Sequence, residues 1–290
     1  MSVPVPSWPM RAFKGVLLTV VCALVVLPFI GIVSTSVAGR KQVTEAGGFV
    51  LFPESVSLSA YQAILAGGVV TRALLISLGI TAVGTAVSLA STTTLGYALS
   101  RPGSFAHRPL LLTVLFSLLF GPGIIPTFLV VRSLGLLDSY WSLILPSAVS
   151  AFNVVVIRSF FMNLPSDILE SARLDGAGEF VILRRIVLPL SKAALAVIGL
   201  FYAVGYWNAF FNALLYMNDN SKWPLQLILR SYVVDQSSLT AAQLGAQEAV
   251  PPQQSIQMAI LVISIVPIVI VYPFLQRHFA KGVLTGAVKG

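Results

Sequence analysis

Glu170-Ser171-Ala172-Arg173-Leu174-Asp175-Gly176-Ala177-Gly178-Glu179-Phe180 runs on to Arg184-Arg185-Ile186-Val187-Leu188-Pro189, between two long apolar runs. Helix-forming residues from Asp167 to Arg173, with an acid near their start, predict a short helix. Gly176 suits the left-handed position that ends such a helix and turns the chain. Phe180, Ile182, Leu183 and Ile186 then follow a helical apolar stripe toward the next run, and Pro189 predicts a bend. The product is a short exposed helix, a glycine turn and a rigid connection into an apolar helix. Such a segment suits a lever moved by a partner, but periodicity alone favours a plain connection between two spans.

The flanks decide the solvent. Of 290 residues, 57% are hydrophobic and only 10% charged, against about 25% charged in a soluble domain. Six stretches contain no Asp, Glu, Lys or Arg: 15–39, 73–100, 109–131, 139–157, 193–218 and 249–276. The fourth is the shortest and is extended past Arg158 to 161. Each matches the roughly 20 residues that cross a bilayer, where the backbone must pair internally and so forms helix. The first run exceeds the roughly 7–15 apolar residues of a signal peptide and is read as a span. The expected fold is an all-α integral membrane protein with six transmembrane helices. It forms a single transmembrane domain over 1–290, with the acid-bearing loop at 165–190.

Lys and Arg set the orientation. With the N-terminus inside, the inner side holds Arg11, Lys14, Arg101, Arg108, Arg158, Arg173, Arg184, Arg185, Lys192, Arg277, Lys281 and Lys289. The outer side holds Arg40, Lys41, Arg72, Arg132, Lys222 and Arg230. Both termini are therefore expected in the cytoplasm, and so is the 165–190 loop. Its Asp167, Glu170, Asp175 and Glu179 are all of the inner acids.

Several function classes drop out. The net charge of +8 is dispersed between apolar runs, which argues against nucleic acid. The lone Cys22 excludes an intrachain disulfide, and His107 and His278 each sit beside basic residues in expected loops, so no metal site is expected. No G-x-x-x-x-G-K-[ST] phosphate loop occurs, so ATP is not expected on this chain by that route. H-E-x-x-H and G-x-S-x-G are absent as well, and the chain is not expected to be an enzyme.

Polar residues within the runs are candidates for a path through the membrane. Ser91-Thr92-Thr93-Thr94 lies in the second run, Gly121-Pro122-Gly123 and Pro126 in the third, and Asn153 in the fourth. The fifth carries Gly205, Trp207, Asn208 and Asn212. Asn153 and Asn208 offer amide hydrogen-bonding groups, and Tyr206 or Trp207 offers a stacking face. Plain helix–helix packing explains the same residues. Of the two long outer loops, 40–72 predicts a surface helix from Leu58, Tyr61 and Leu65. The other, 219–248, carries Trp223-Pro224, then 225–229, and later Gly245.

The 170–189 stretch resembles the EAA loop of ABC importer permeases: Glu-Ala-Ala, three residues, Gly, nine residues, Ile-x-Leu-Pro. Glu170, Ala172, Gly176, Ile186, Leu188 and Pro189 keep that register; Ser171 replaces one alanine, and Ala193 stands where sugar permeases often carry a further proline. The stretch 134–141, Tyr202 to Asn208 and the tail 272–290 also resemble sugar-importer permeases. They are closest to subunits similar to maltose-system MalG, and within those to permeases for plant-type or uronate-containing oligosaccharides.

The resemblance implies a MalG-like permease fold in a bacterial cytoplasmic membrane. It implies a second homologous permease, two cytoplasmic ATPase subunits that bind ATP and Mg, and an extracytoplasmic solute-binding protein. It assigns ATPase coupling to Glu170, Ala172, Asp175, Gly176 and Ala177, and a loop-to-helix hinge to Ile186, Leu188 and Pro189. The tail at 281–290 is expected near the same interface. The path candidates are Asn153, Trp207 and Asn208. The expected function is import of a sugar, an oligosaccharide with uronate-containing ones among the candidates, by alternating access. Alternatives are an ABC permease for a non-sugar solute and an ion-driven carrier working alone. The carrier reading finds no charged residue within the runs.

Overall fold

The computed structural model describes residues 8–101, 103–233 and 251–287, with 274–287 as backbone alone. In chain order the helices are α1 (Trp8–Val37), α2 (Arg40–Glu45), α3 (Ser59–Leu65), α4 (Val69–Leu99) and α5 (His107–Leu119). Next come α6 (Ile124–Ser133), α7 (Trp141–Ile144), α8 (Ala151–Met162), α9 (Ser166–Leu174) and α10 (Glu179–Ile182). The remainder are α11 (Leu188–Leu190), α12 (Lys192–Trp207), α13 (Phe210–Tyr216), α14 (Leu225–Val233) and α15 (Gln253–Ala287). Among the described residues there is no strand, only an isolated antiparallel bridge between Ala38 and Val56. The chain is all-α, as its apolar runs require.

The continuity of the runs differs from expectation. Three helical stretches, Trp8–Val37, Val69–Leu99 and Gln253–Pro273, are each long and apolar enough to cross a bilayer. Two bent pairs bring the number to five: Trp141–Ser147 with Ala151–Met162 at 51°, and Glu179–Leu190 with Lys192–Trp207 at 85°. The expected span 109–131 is not one helix. It is α5 and α6, of 13 and 10 residues, parted at 120–123 where Gly121-Pro122-Gly123 lowers helix propensity and removes a donor. The expected span 193–218 ends its first helix at Trp207 and resumes as α13. Ends shift too: α1 begins at Trp8, and α15 runs to Ala287, so His278 lies in helix and not in a loop. Gly245 and 288–290 lie outside the described residues.

The chain divides into two compact units, one of Met1–Arg72 with Leu229–Val266, the other of Ala73–Ile228 with Pro267–Gly290. In the first, α1 leaves almost all of its apolar side chains exposed, from Trp8 at 82% to Val33 at 50%. That surface is untenable in water over 30 residues and natural in lipid. The end of α1 is fastened by hydroxyls. Thr35 Oγ1 accepts from Val50 N–H at 2.9 Å, and Ser36 Oγ lies 2.7 Å from the Tyr61 hydroxyl on α3. A short helix thus forms where the spacing of Leu58, Tyr61 and Leu65 predicts one, with Ala60, Ala63 and Ile64 buried. Gln42 pairs with both Phe52 O and Glu54 N, closing the intervening loop.

The second unit holds the main core, where Ile80, Ile157, Phe161, Ile182, Val187 and Ile198 are all buried. Helices α4 and α8 meet at Gly96, where a Cβ would fall 2.4 Å from Ile157 Cγ2. Only glycine permits that approach. Beside it, Arg158 Nε donates to Leu99 O at 2.8 Å and satisfies a carbonyl at the end of α4. Far along the unit, Asp138 ties the turn before α7 to the end of α13. Its Oδ1 accepts from the backbone N–H of Asn218 at 2.6 Å and of Asp219 at 2.9 Å, and Oδ2 accepts from Asn218 Nδ2 at 3.2 Å. The Asp219 amide first, then Asn218, holds the Asp138 carboxyl below its ordinary pKa, so it stays an acceptor.

Candidate translocation cavity and coupling segment

Helix α9 forms for local reasons. Asp167 stands in its first turn and Arg173 in its last, both matched to the helix dipole. Leu169 is buried and pins the helix, while Glu170 on the same helix is exposed. The helix ends in a Schellman motif. Ala177 N–H donates to Ala172 O at 2.9 Å, and Gly176 N–H to Arg173 O at 3.0 Å. Gly176 has φ of +80°, the left-handed value that the sequence requires of it. Ala172 and Ala177 pack against the core, and Asp175 and Gly176 are exposed at the tip.

Beyond the turn, α10 leads into a π-helical turn at Leu183–Val187 and then α11. Ile182, Leu183 and Val187 are buried; Ile186 and Leu188 are partly buried against the same core, and Pro189 is exposed. Phe180 departs from the expected stripe and is 73% exposed. The π turn adds a residue to one turn and so displaces the apolar face from a simple 3.6-residue period. The chain then swings through 85° at Ser191, whose N–H is retained by Val187 O at 3.0 Å.

A cavity of about 440 Å³ opens where α8 meets α12 and α13. Its polar lining is Ser147, Ser150, Asn153 and Asn212, with Phe152 and Phe201 supplying aromatic surface and Tyr202 and Tyr206 the wall. Among the described residues, no charged side chain lines it. Two tyrosines one turn apart on α12 build that wall. The Tyr206 hydroxyl donates to Ile144 O at 3.1 Å and lies 2.8 Å from Ser88 Oγ; its one proton being committed, Ser88 is the donor. The Tyr202 hydroxyl accepts from Ser150 N–H at 2.9 Å and lies 2.6 Å from Thr92 Oγ1. The gap between α7 and α8 is thereby paired from a neighbouring helix.

Of the residues expected on the path, Asn153 lines this cavity. Trp207 is buried in a separate apolar recess with Leu78, Leu200, Pro267 and Val271. Asn208 caps α12, its N–H held by Val204 O at 3.1 Å, and is not part of the lining. The sequence reading passed over Ser147, Ser150 and Tyr202. The signal for Tyr202 and Tyr206 was their i, i+4 spacing, matched by Ser88 and Thr92 on α4.

Residues 92–285 match the family described as binding-protein-dependent transport system inner membrane component. The chain belongs to this family: it is a multi-pass inner-membrane permease subunit of an ABC importer, a transport component and not an enzyme. It is 47% identical over 267 residues to the polygalacturonan/rhamnogalacturonan transport system permease protein YtcP of Bacillus subtilis, covering 91% of this chain and 93% of that one. It is 48% identical over 269 residues to protein LplC of the same organism, covering 92% and 90%. Among solved structures, a chain of a bacterial ABC transporter involved in the import of the acidic polysaccharide alginate superposes with a TM-score of 0.84. That match has 32% identity and covers 96% of this chain and 100% of the other. A chain of a bacterial alginate ABC transporter in complex with alginate pentasaccharide-bound periplasmic protein shares the fold alone, at a TM-score of 0.52 and 14% identity.

Tyr202→Phe removes one hydroxyl and leaves Ser150 N–H and Thr92 Oγ1 without it. The expected cost is about 1–3 kcal/mol per orphaned buried group. Thermal unfolding of the detergent-purified protein measures it, and Thr92→Val in the same background should add less than it costs alone.

Proposed function

We propose that this chain is one of two permease subunits of an ATP-driven importer for oligosaccharides, with uronate-containing ones as its cargo class. The observation that carries the cargo reading is the 47% identity, over nearly the whole of both chains, to a polygalacturonan/rhamnogalacturonan permease. The likeness to an alginate importer's chain supports the same class. The cavity chemistry agrees with it. Hydroxyl and amide groups suit sugar hydroxyls, and Phe152 and Phe201 suit the apolar face of a pyranose ring. With no cation in the lining, a uronate carboxylate passing this wall keeps its water or meets charge on the second permease.

In this reading the chain has six spans with both termini cytoplasmic, the α5–α6 pair making the sixth. Helices of 13 and 10 residues give about 35 Å together, enough for a hydrocarbon core of about 30 Å. The exposed break at 120–123 needs a second subunit or a wet path beside it, because bare backbone is not tolerated in lipid. Twelve basic residues inside against six outside set the orientation. A loaded binding protein docks outside, and two partner ATPase subunits hold ATP and Mg inside. Their closure moves α9 and rotates the helices between outward-open and inward-open states. Glu170 pairs with a basic ATPase residue, and Asp175, Gly176 and the small Ala172 and Ala177 seat the turn in the ATPase cleft. Ile186 within the π turn, and Leu188 and Pro189 just after it, pass the motion on.

Two measurements test this reading. Glu170→Ala and Gly176→Pro are expected to abolish uptake while membrane insertion stays normal; normal uptake in either variant removes the coupling role. Cells carrying the complete transporter are expected to take up oligogalacturonate and not a neutral oligosaccharide of equal length. Uptake of the neutral sugar alone contradicts the cargo assignment.

A further inference from the structure

Glu179 joins two elements that are far apart in the chain. Its Oε1 receives both Nε and a terminal nitrogen of Arg173 at 3.1 Å, from the last turn of α9. Its Oε2 receives the hydroxyl of Tyr97, from the last turn of α4. Tyr97 is buried, stands edge-on to Phe161 at the end of α8 with ring centroids 6.3 Å apart, and carries the guanidinium of Arg101 over its ring at 4.8 Å. The other tie holding α9 to the bundle is apolar, through Leu169 and Ala172. Apolar contact is non-directional and resists separation more than sliding. Hydrogen bonds to a carboxylate are directional and about twice as strong as neutral ones.

Along α4 the same helix reaches the cavity wall. Thr92 and Ser88 lie five and nine residues before Tyr97, about 7.5 and 13.5 Å along one unbroken helix. They bond to Tyr202 and Tyr206, which line the cavity. Directional bonds and a stiff rod thus connect α9 to that wall with no intervening loop.

We propose that Tyr97 and Glu179 are positioning residues for coupling: they lock α9 to α4, so that movement of α9 shifts the wall formed by Tyr202 and Tyr206. The inference rests on the reading of α9 as the ATPase contact. Neither residue touches cargo or nucleotide.

The test uses the complete transporter in proteoliposomes, with Cys22→Ser removing the native thiol and Asn212→Cys as a reporter in the cavity. The rate at which a small thiol reagent labels the reporter is compared without nucleotide and with ATP, Mg and vanadate. In this reporter background, nucleotide should change the labelling rate by roughly fivefold or more. Tyr97→Phe and Glu179→Gln should each remove most of that change while the ATPase subunits stay bound and hydrolyse ATP. The double variant should be no worse than the worse single one. A full nucleotide response in both single variants overturns the lock. Loss of the ATPase subunits from the variants overturns it too, since Glu179 would then serve docking. If the reporter background itself gives no response with ATPase bound, the coupling reading of α9 fails and the lock falls with it.

Discussion

Hydrocarbon offers no partner to a bare backbone N–H or C=O, and this chain interrupts its helices within its apolar runs. Several of these interruptions are mended by side chains the sequence supplies elsewhere, whereas the break at 120–123 stays exposed. The gap between α7 and α8 is closed by Tyr202 and Tyr206, whose hydroxyls take Ser150 N–H and Ile144 O. The start of α14 is closed by Ser77 Oγ, which accepts Leu225 N–H at 2.7 Å. Arg158 does the same for Leu99 O. Ser77, Ser88 and Thr92 of α4 are thus the counterpart of the breaks in its neighbours. An apolar α4 would leave those neighbours with unpaired polar groups.

The same economy produces the cavity. A helix that stops and restarts leaves a polar seam, and α8, α12 and α13 meet at such a seam around Ser150, Asn153 and Asn212. A continuous apolar helix would have filled it. The bend at Ser191 and the π turn before it place α9 and its glycine turn beyond the core, held by Leu169 from one side and by Glu179 from another. The cavity and α9 are then two ends of one set of bonded helices. That arrangement is what a permease worked from outside its own chain requires.

The local parts of this architecture were legible in the sequence. The turn at Gly176 follows from one glycine after a short helix with matched end charges, and α3 follows from the spacing of Leu58, Tyr61 and Leu65. The apolar runs announced helices, but hydropathy averages over a break, so the gap at 148–150 and the end of α12 at Trp207 did not show. Phe180 was placed on a buried stripe, but in the first turn of α10 it lies at the edge of the face that buries Ile182, Leu183 and Val187. Trp207 and Asn208 were singled out by chemistry alone, and neither is among the residues lining the cavity. Tyr202 and Tyr206 find their meaning in Thr92 and Ser88, which stand 110 and 118 residues away from them. A matching spacing becomes readable only once the two helices are known to be neighbours.

The account stands on the side of the membrane to which α9 belongs. Leu174, at the end of α9, is 89% exposed, and Cys22 is the chain's single cysteine. Leu174→Cys in a Cys22→Ser background, treated with a membrane-impermeant maleimide, tests the placement directly. Labelling is predicted in inside-out vesicles, blocked when the ATPase subunits are present, and absent in right-side-out vesicles. Labelling from the outer face would contradict the orientation, the coupling role of α9 and the path from it to the cavity.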